Sequence, residues 1–227
     1  MVDGAPSLDI VPWKLSVPAV RFDLASYKKD TTTPELYQQL YLQLISEYPL
    51  SEKFFTDVSK TDEGVAAAAV STKRIKKPFT CRLPDDSSIY TAELALKHVY
   101  YSKEKSFLIL SDSLTSLQSI LNLKYDHPVL VQILELYTEI TREGREIVFI
   151  WVPGHVGIRG NSAADSVAKD ALDGDISVEL IPFSDLKPRT NKYILELWQS
   201  EWDEFPENKL YKIFPVLTER ISCPRKN

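Results

Sequence analysis

Glycine is scarce in this chain: seven in 227 residues, about 3% against a usual ~7%. No Gly-x-Gly-x-x-Gly, Gly-Lys-Ser/Thr loop or Gly-x-Ser-x-Gly elbow occurs, which excludes the common nucleotide-cradling and hydrolase motifs. Cysteine is scarcer still. Cys81 and Cys223 stand too far apart for a disulfide framework or a zinc knuckle, so reduced thiols are expected. Long apolar runs are missing as well. The longest stretch without Asp, Glu, Lys or Arg, residues 147–158, falls short of the ~18–20 residues a spanning helix needs, so no membrane partner is expected. Met1-Val2-Asp3-Gly4 carries neither a basic patch nor an apolar h-region, and an intracellular location follows as the expectation, nucleus or cytoplasm unresolved. Basic charge is not in excess. With 27 basic and 32 acidic side chains the net charge is −5, a field that repels polyanions, so any nucleic-acid role has to rest on local features.

What is present describes a globular protein: 44% hydrophobic and 26% charged residues, enough chain for one large domain with appendages. Pro6, Pro12 and Pro18, set among Ile10, Trp13, Val17 and Val20, suit an extended arm lying on another surface. Thr33-Pro34-Glu35 begins a capped helix with Leu36, Leu40 and Leu44 on its apolar face, ended by Pro49. Short apolar runs at 53–58, 65–73 and 78–83 predict three strands of an antiparallel meander. Helix 91–102, strand 106–111, helices 114–122 and 128–142, strand 146–152 and helix 162–172 follow, and a last helix spans about 184–204. The expected fold is α/β: a five-stranded mixed sheet with helices on both faces, plus an N-terminal arm and helix and a C-terminal helix. The expected division is a linker-like arm and helix at 1–51, a catalytic domain at 52–173 and a helical extension at 174–227.

Carboxylates are the informative side chains. Asp57 and Asp112 close two predicted strands, where α/β sites form, while Glu93 and Asp165 lie in the first turns of two predicted helices. Singly, each reads as a surface or capping acid. Gathered at one sheet end, the four would repel unless cations bridged them, and oxygen-only ligation selects hard Mg²⁺ or Mn²⁺. Two such ions form an apparatus for in-line phosphodiester hydrolysis.

Phe55-Thr56-Asp57-Val58-Ser59, Tyr90-Thr91-Ala92-Glu93-Leu94, Leu110-Ser111-Asp112-Ser113 and the long block Trp151-Val152-Pro153-Gly154-His155-Val156-Gly157-Ile158-Arg159-Gly160-Asn161, continuing through Ala164-Asp165 to Lys169, resemble the type 1 ribonuclease H family. The order and spacing of the acids match too, with 36, 19 and 53 residues between successive members. The arm around Trp13 and the tail around Pro182-Phe183, Trp198 and Trp202 are similar to sequence flanking the ribonuclease H domain of non-LTR (jockey-type) retrotransposon polyproteins.

The resemblance implies an RNA-DNA hybrid endonuclease leaving 5′-phosphate ends. Two Mg²⁺ ions (Mn²⁺ able to substitute) would be held by Asp57, Glu93, Asp112 and Asp165, with His155 assisting proton transfer or product departure. A reverse transcriptase domain in a parent polyprotein is the implied protein partner, and a monomer is favoured. Val58 departs from the family pattern, which usually has glycine after the first Asp; its side chain would crowd the RNA strand. The alternative is therefore a catalytically weak or inactive hybrid-binding module of the same fold. Lys73, Arg74, Lys76 and Lys77 offer local positive charge to phosphates or serve as edge-protecting lysines. His98 and His127, lacking an acidic motif around them, read as surface or helix-start residues, and Trp198 and Trp202 as packing residues.

Overall fold

The computed structural model of the chain describes residues 10–61, 64–73, 78–83, 90–122, 128–174 and 183–217; the side chains of 12, 83, 90–94, 128 and 183–192 lie outside that description. The chain divides into two compact units, Met1–Ile181 and Pro182–Asn227.

One mixed sheet organises the first unit. Its strands are β1 (Ala19–Arg21), β2 (Glu52–Thr61), β3 (Gly64–Ser71), β4 (Phe79–Leu83), β5 (Ser106–Ser111) and β6 (Glu146–Trp151), in the order β1-β6-β5-β2-β3-β4. β2, β3 and β4 form the antiparallel meander, and β2, β5 and β6 run parallel. The helices are α1 (Pro34–Ser46), α2 (Tyr90–Tyr101), α3 (Leu114–Leu121), α4 (Pro128–Arg142) and α5 (Arg159–Asp170). Alternation along the strands explains why both faces are covered. Phe107 and Ile109 of β5 pack with Leu96 of α2, Leu117 of α3 and Ile133 of α4; Leu108 and Leu110 pack on the other face with Tyr37 and Leu44 of α1 and Ala164 of α5.

The five expected strands are joined by a sixth from the arm. β1 pairs in parallel with β6 through Ala19↔Val148, Val20↔Phe149 and Arg21↔Ile150. The preceding residues run along α4: the Ser16 N–H donates to Thr138 Oγ1 at 2.8 Å, the Ala19 N–H to Tyr137 Oη at 3.0 Å, and Arg142 to the Lys14 carbonyl at 2.8 Å. Three residues are too few to show a strand period, and main-chain pairing leaves no mark in side-chain pattern. Within the segment expected to be linker-like, 1–51, Leu24, Tyr37 and Leu44 are core residues. Trp13 projects outward, 81% exposed.

Helix α1 starts as its sequence predicts, with Thr33 Oγ1 accepting from the Leu36 N–H and Pro34 at the first position.

In the second unit, α6 (Phe183–Asp203) and α7 (Lys209–Ile213) form a hairpin. The Gln199 amide brackets the returning chain, donating to the Pro215 carbonyl and accepting from the Leu217 N–H, both at 2.8 Å. Trp202 donates to the Phe214 carbonyl at 2.9 Å and its ring lies 5.9 Å from that of Tyr211. The packing role expected of Trp202 is thus seen, whereas Trp198 is 59% exposed.

Candidate active site

Parallel pairing and strand alternation bring the first two acids together. The pairing of β2 with β5 ends at Thr56↔Ser111, so the next residue on each chain is an acid, Asp57 or Asp112. Two residues earlier, Phe55 and Leu110 are paired and point toward α1 and α5. The third acid arrives on α5, which approaches closely because small residues line its contact with β3 and glycine stands where it meets Phe55. Ala66 and Ala68 on β3 and Ala164 and Ala168 on α5 are fully buried, and any Cβ at Gly160 would strike the Phe55 ring. That close seat carries Asp165, two turns into the helix, within electrostatic reach of Asp57.

The charges register this crowding. The Asp57 carboxyl is pushed up to about 7, chiefly by burial and then by the like charge of Asp112, with a smaller upward contribution from Asp165. Two groups oppose the shift: the Val58 N–H, donating to Asp57 Oδ1 at 2.7 Å, and the Lys169 ammonium. Lys169 sits one turn beyond Asp165 and bonds its Oδ2 at 2.8 Å, which raises the lysine's own pKa.

Asp112 is held from three sides. Trp151 Nε1 donates to its main-chain carbonyl at 3.0 Å, Asn161 Nδ2 to its Oδ2 at 3.3 Å, and Gly154 lies so near that a Cβ there would be 2.5 Å from the same oxygen. Asn161 is only 3% exposed, and its buried Oδ1 has no hydrogen-bond partner among the described residues.

His155 stands in the loop between β6 and α5, exposed, with φ of 61°, a left-handed conformation uncommon for a residue with a side chain. Its neighbours Val156 and Ile158 are buried in the core beside α1. Glu93 lies in α2, but its side chain is among those not described. The structure therefore brings Asp57, Asp112 and Asp165 together, sets the Gly154–His155 turn against Asp112, and leaves Glu93 placed by its backbone alone.

Among the described residues, no group of three or more His, Cys, Asp or Glu side chains closes on a common point that could hold a metal ion. Asp165 is engaged by Lys169, and Asp112 by Asn161. The donor set nonetheless suits a hard divalent cation: the nearby donors are carboxylate oxygens, Asp57 is destabilised as an anion by its neighbours, and a further buried oxygen, Asn161 Oδ1, lacks a partner among the described residues.

Other expected residues fare variously. Lys73 pairs with Glu104 at 2.6 Å, while residues 74–77 and His127 lie outside the described residues. His98, read as a surface residue, is turned inward, its ring nitrogens shielded from solvent and its ring edge-on to Phe79. Val58 packs against Val65, Ala67 and Cys81 on the face opposite Asp57. Asn161, Gly154 and Lys169 lie in the block from Trp151 to Lys169, but only the folded chain sets the first two against Asp112 and pairs the third with Asp165.

Carboxylates delivered by two parallel strands and a closely packed helix to one end of a mixed sheet define an α/β protein with an acidic, oxygen-donor site. Residues 50–173, more than half the chain, match the family model described as RNase H, and the chain belongs to the ribonuclease H family. No curated protein shows a significant match to it. At the level of the family, the match supports a hydrolase of the nuclease type acting on RNA-DNA hybrids. Among the described residues, no helix is long and apolar enough to cross a membrane.

Proposed function

We propose that this chain is a divalent-metal-dependent endonuclease that hydrolyses the RNA strand of RNA-DNA hybrids. The observation that carries the reading is the parallel pairing that sets Asp57 and Asp112 side by side at the ends of β2 and β5, within residues that match the ribonuclease H family. Asp57, Asp112 and Asp165, with Glu93, would hold two Mg²⁺ ions, which when bound activate water and stabilise the leaving oxygen. Water adds to phosphorus, the bond from phosphorus to the 3′ oxygen breaks, and the products carry a 3′-hydroxyl and a 5′-phosphate. Asp57, which interacts electrostatically with both Asp112 and Asp165, would be the central acid of that set. Asn161 and Trp151 keep Asp112 in orientation. His155, on an exposed turn, passes a proton to the departing 3′ oxygen or helps the product leave.

We infer a catalytic domain at 52–173, preceded by an arm and helix at 1–51 and followed by a helical extension at 174–227. We further infer an origin in a jockey-type retrotransposon polyprotein, supported by the sequence around Trp13, Trp198 and Trp202. The test is cleavage of a hybrid with labelled RNA strand, against double-stranded RNA and DNA, with and without Mg²⁺. Metal-dependent, hybrid-selective cutting abolished by Asp57→Asn supports the reading; a folded parent chain that cuts no hybrid sinks it.

A second reading is a hybrid-binding module without turnover. It is favoured by the Lys169–Asp165 pair, which engages one of the acids. It predicts hybrid binding without cleavage by the parent chain.

A further inference from the structure

Helix α1 lies outside the residues that match the family, yet it touches the loop that carries His155. Gln38 Nε2 donates to the Val156 carbonyl at 2.9 Å, joining residues 118 positions apart. The next residue on the loop, also facing this amide, is Gly157. Its φ is +81°, and a Cβ at Gly157 would collide with Gln38 Nε2. Glycine takes this φ without strain, and any side chain here would force the Gln38 amide to shift. The loop and the glutamine are thus fitted to each other.

Gln38 is itself held firmly. Tyr37 before it is fully buried and donates to the Tyr27 carbonyl at 2.7 Å. Tyr41, one turn on, packs its ring 6.3 Å from that of Phe55, the residue that also receives Gly160 and stands two before Asp57. Within the loop, His155 holds a positive φ that a non-glycine residue keeps only when its surroundings impose it. Those surroundings are Val156, 5% exposed in the core, and the Gln38 bond to its carbonyl.

We propose that Gln38 is a positioning residue for His155, holding the 154–158 loop in the conformation that presents the imidazole at the acidic site. The inference rests on the reading that His155 serves cleavage. It assigns a role in the site to the segment before the family domain: α1 is a brace that stops the loop relaxing.

Hybrid cleavage by the full chain tests this in a double-mutant cycle. Gln38→Glu keeps the size of the side chain and removes the N–H donor; Gln38→Ala removes both. Loss of one neutral hydrogen bond predicts a kcat ~3- to 10-fold lower at unchanged KM in both variants. It also predicts faster hydrogen exchange at the 155–158 amides and a near-parental melting temperature for Gln38→Glu. In a His155→Ala background the same Gln38 changes should lower kcat no further. An equal loss in that background would show that Gln38 acts on general stability, and unchanged exchange at 155–158 would show that the bond does not hold the loop; either result overturns the proposal. If His155→Ala alone cuts at the parental rate, the role of His155 falls, and the positioning role falls with it. That failure is told apart from the others because it appears with Gln38 intact.

Discussion

Asn161 is tied to Asp112 by a hydrogen bond, Nδ2 to Oδ2 at 3.3 Å, while its buried Oδ1 has no partner among the described residues. A buried amide left half-satisfied is costly unless something else fills the vacancy. The bond links α5 to the end of β5 and so couples the helix bearing Asp165 to the strand bearing Asp112. Replacing Asn161 with Asp should set a second carboxylate against Asp112, lowering the melting temperature at neutral pH by several degrees and much less near pH 4. Thermal melts at the two pH values check this, and equal destabilisation at both would show that charge is not the cause.

Asp57→Asn should abolish hybrid cleavage and raise the melting temperature without added metal, because it removes the buried carboxylate on which burial, Asp112 and Asp165 all bear. Mg²⁺ should stabilise the parent chain more than the variant, since a ligand of the folded form alone adds stability by mass action. Melting curves of both proteins with and without Mg²⁺ decide it. Equal Mg²⁺ shifts would contradict a shared metal site.

Stability should also depend on pH in a defined direction. The Asp57 pKa is about 7 in the folded chain against an ordinary 3.8, so the folded form binds this proton more tightly than the unfolded form. Its contribution is fully present below pH ~4 and is lost as pH rises through about 7. The melting temperature of the parent should fall across that window relative to Asp57→Asn, and added Mg²⁺ should flatten the difference. Parallel curves for parent and variant would show that Asp57 does not titrate there.

Gly160→Ala should cost ~1–3 kcal/mol, the usual penalty of overpacking, since its methyl group would meet the Phe55 ring. Relief requires α5 to lift from β2, which draws Asp165 away from Asp57, so cleavage should fall more than stability alone explains. Denaturant unfolding and kcat, measured on the same preparation at a temperature where the variant stays folded, separate the two effects.

Removing residues 1–22 strips β1 from β6 and takes Val20 and Phe22 off the core. An uncovered sheet edge pairs with other chains, so the truncated protein should aggregate, visible as increased light scattering on warming. Trp13→Ala, by contrast, should change stability by less than ~0.5 kcal/mol, as expected for an exposed side chain.

The elements most legible in the sequence are those whose information is local. Strand β5 and helix α4 keep the bounds their periodicity predicts, because alternation and the 3.6-residue repeat are properties of consecutive residues. The order of Asp57, Glu93, Asp112 and Asp165, and the block from Trp151 to Lys169, are equally matters of chain order. The features that arise only on folding join distant parts of the chain. The seating of β1 on β6, the inward turn of His98 against Phe79, the Gln38–Val156 bond and the anchoring of Asp112 by Asn161 each depend on a partner far away in sequence. The raised pKa of Asp57 belongs with them, since desolvation and like charge arise only when separate elements pack around one carboxyl. Backbone pairing and burial are set by the whole chain closing on itself, and residue spacing carries no term for either.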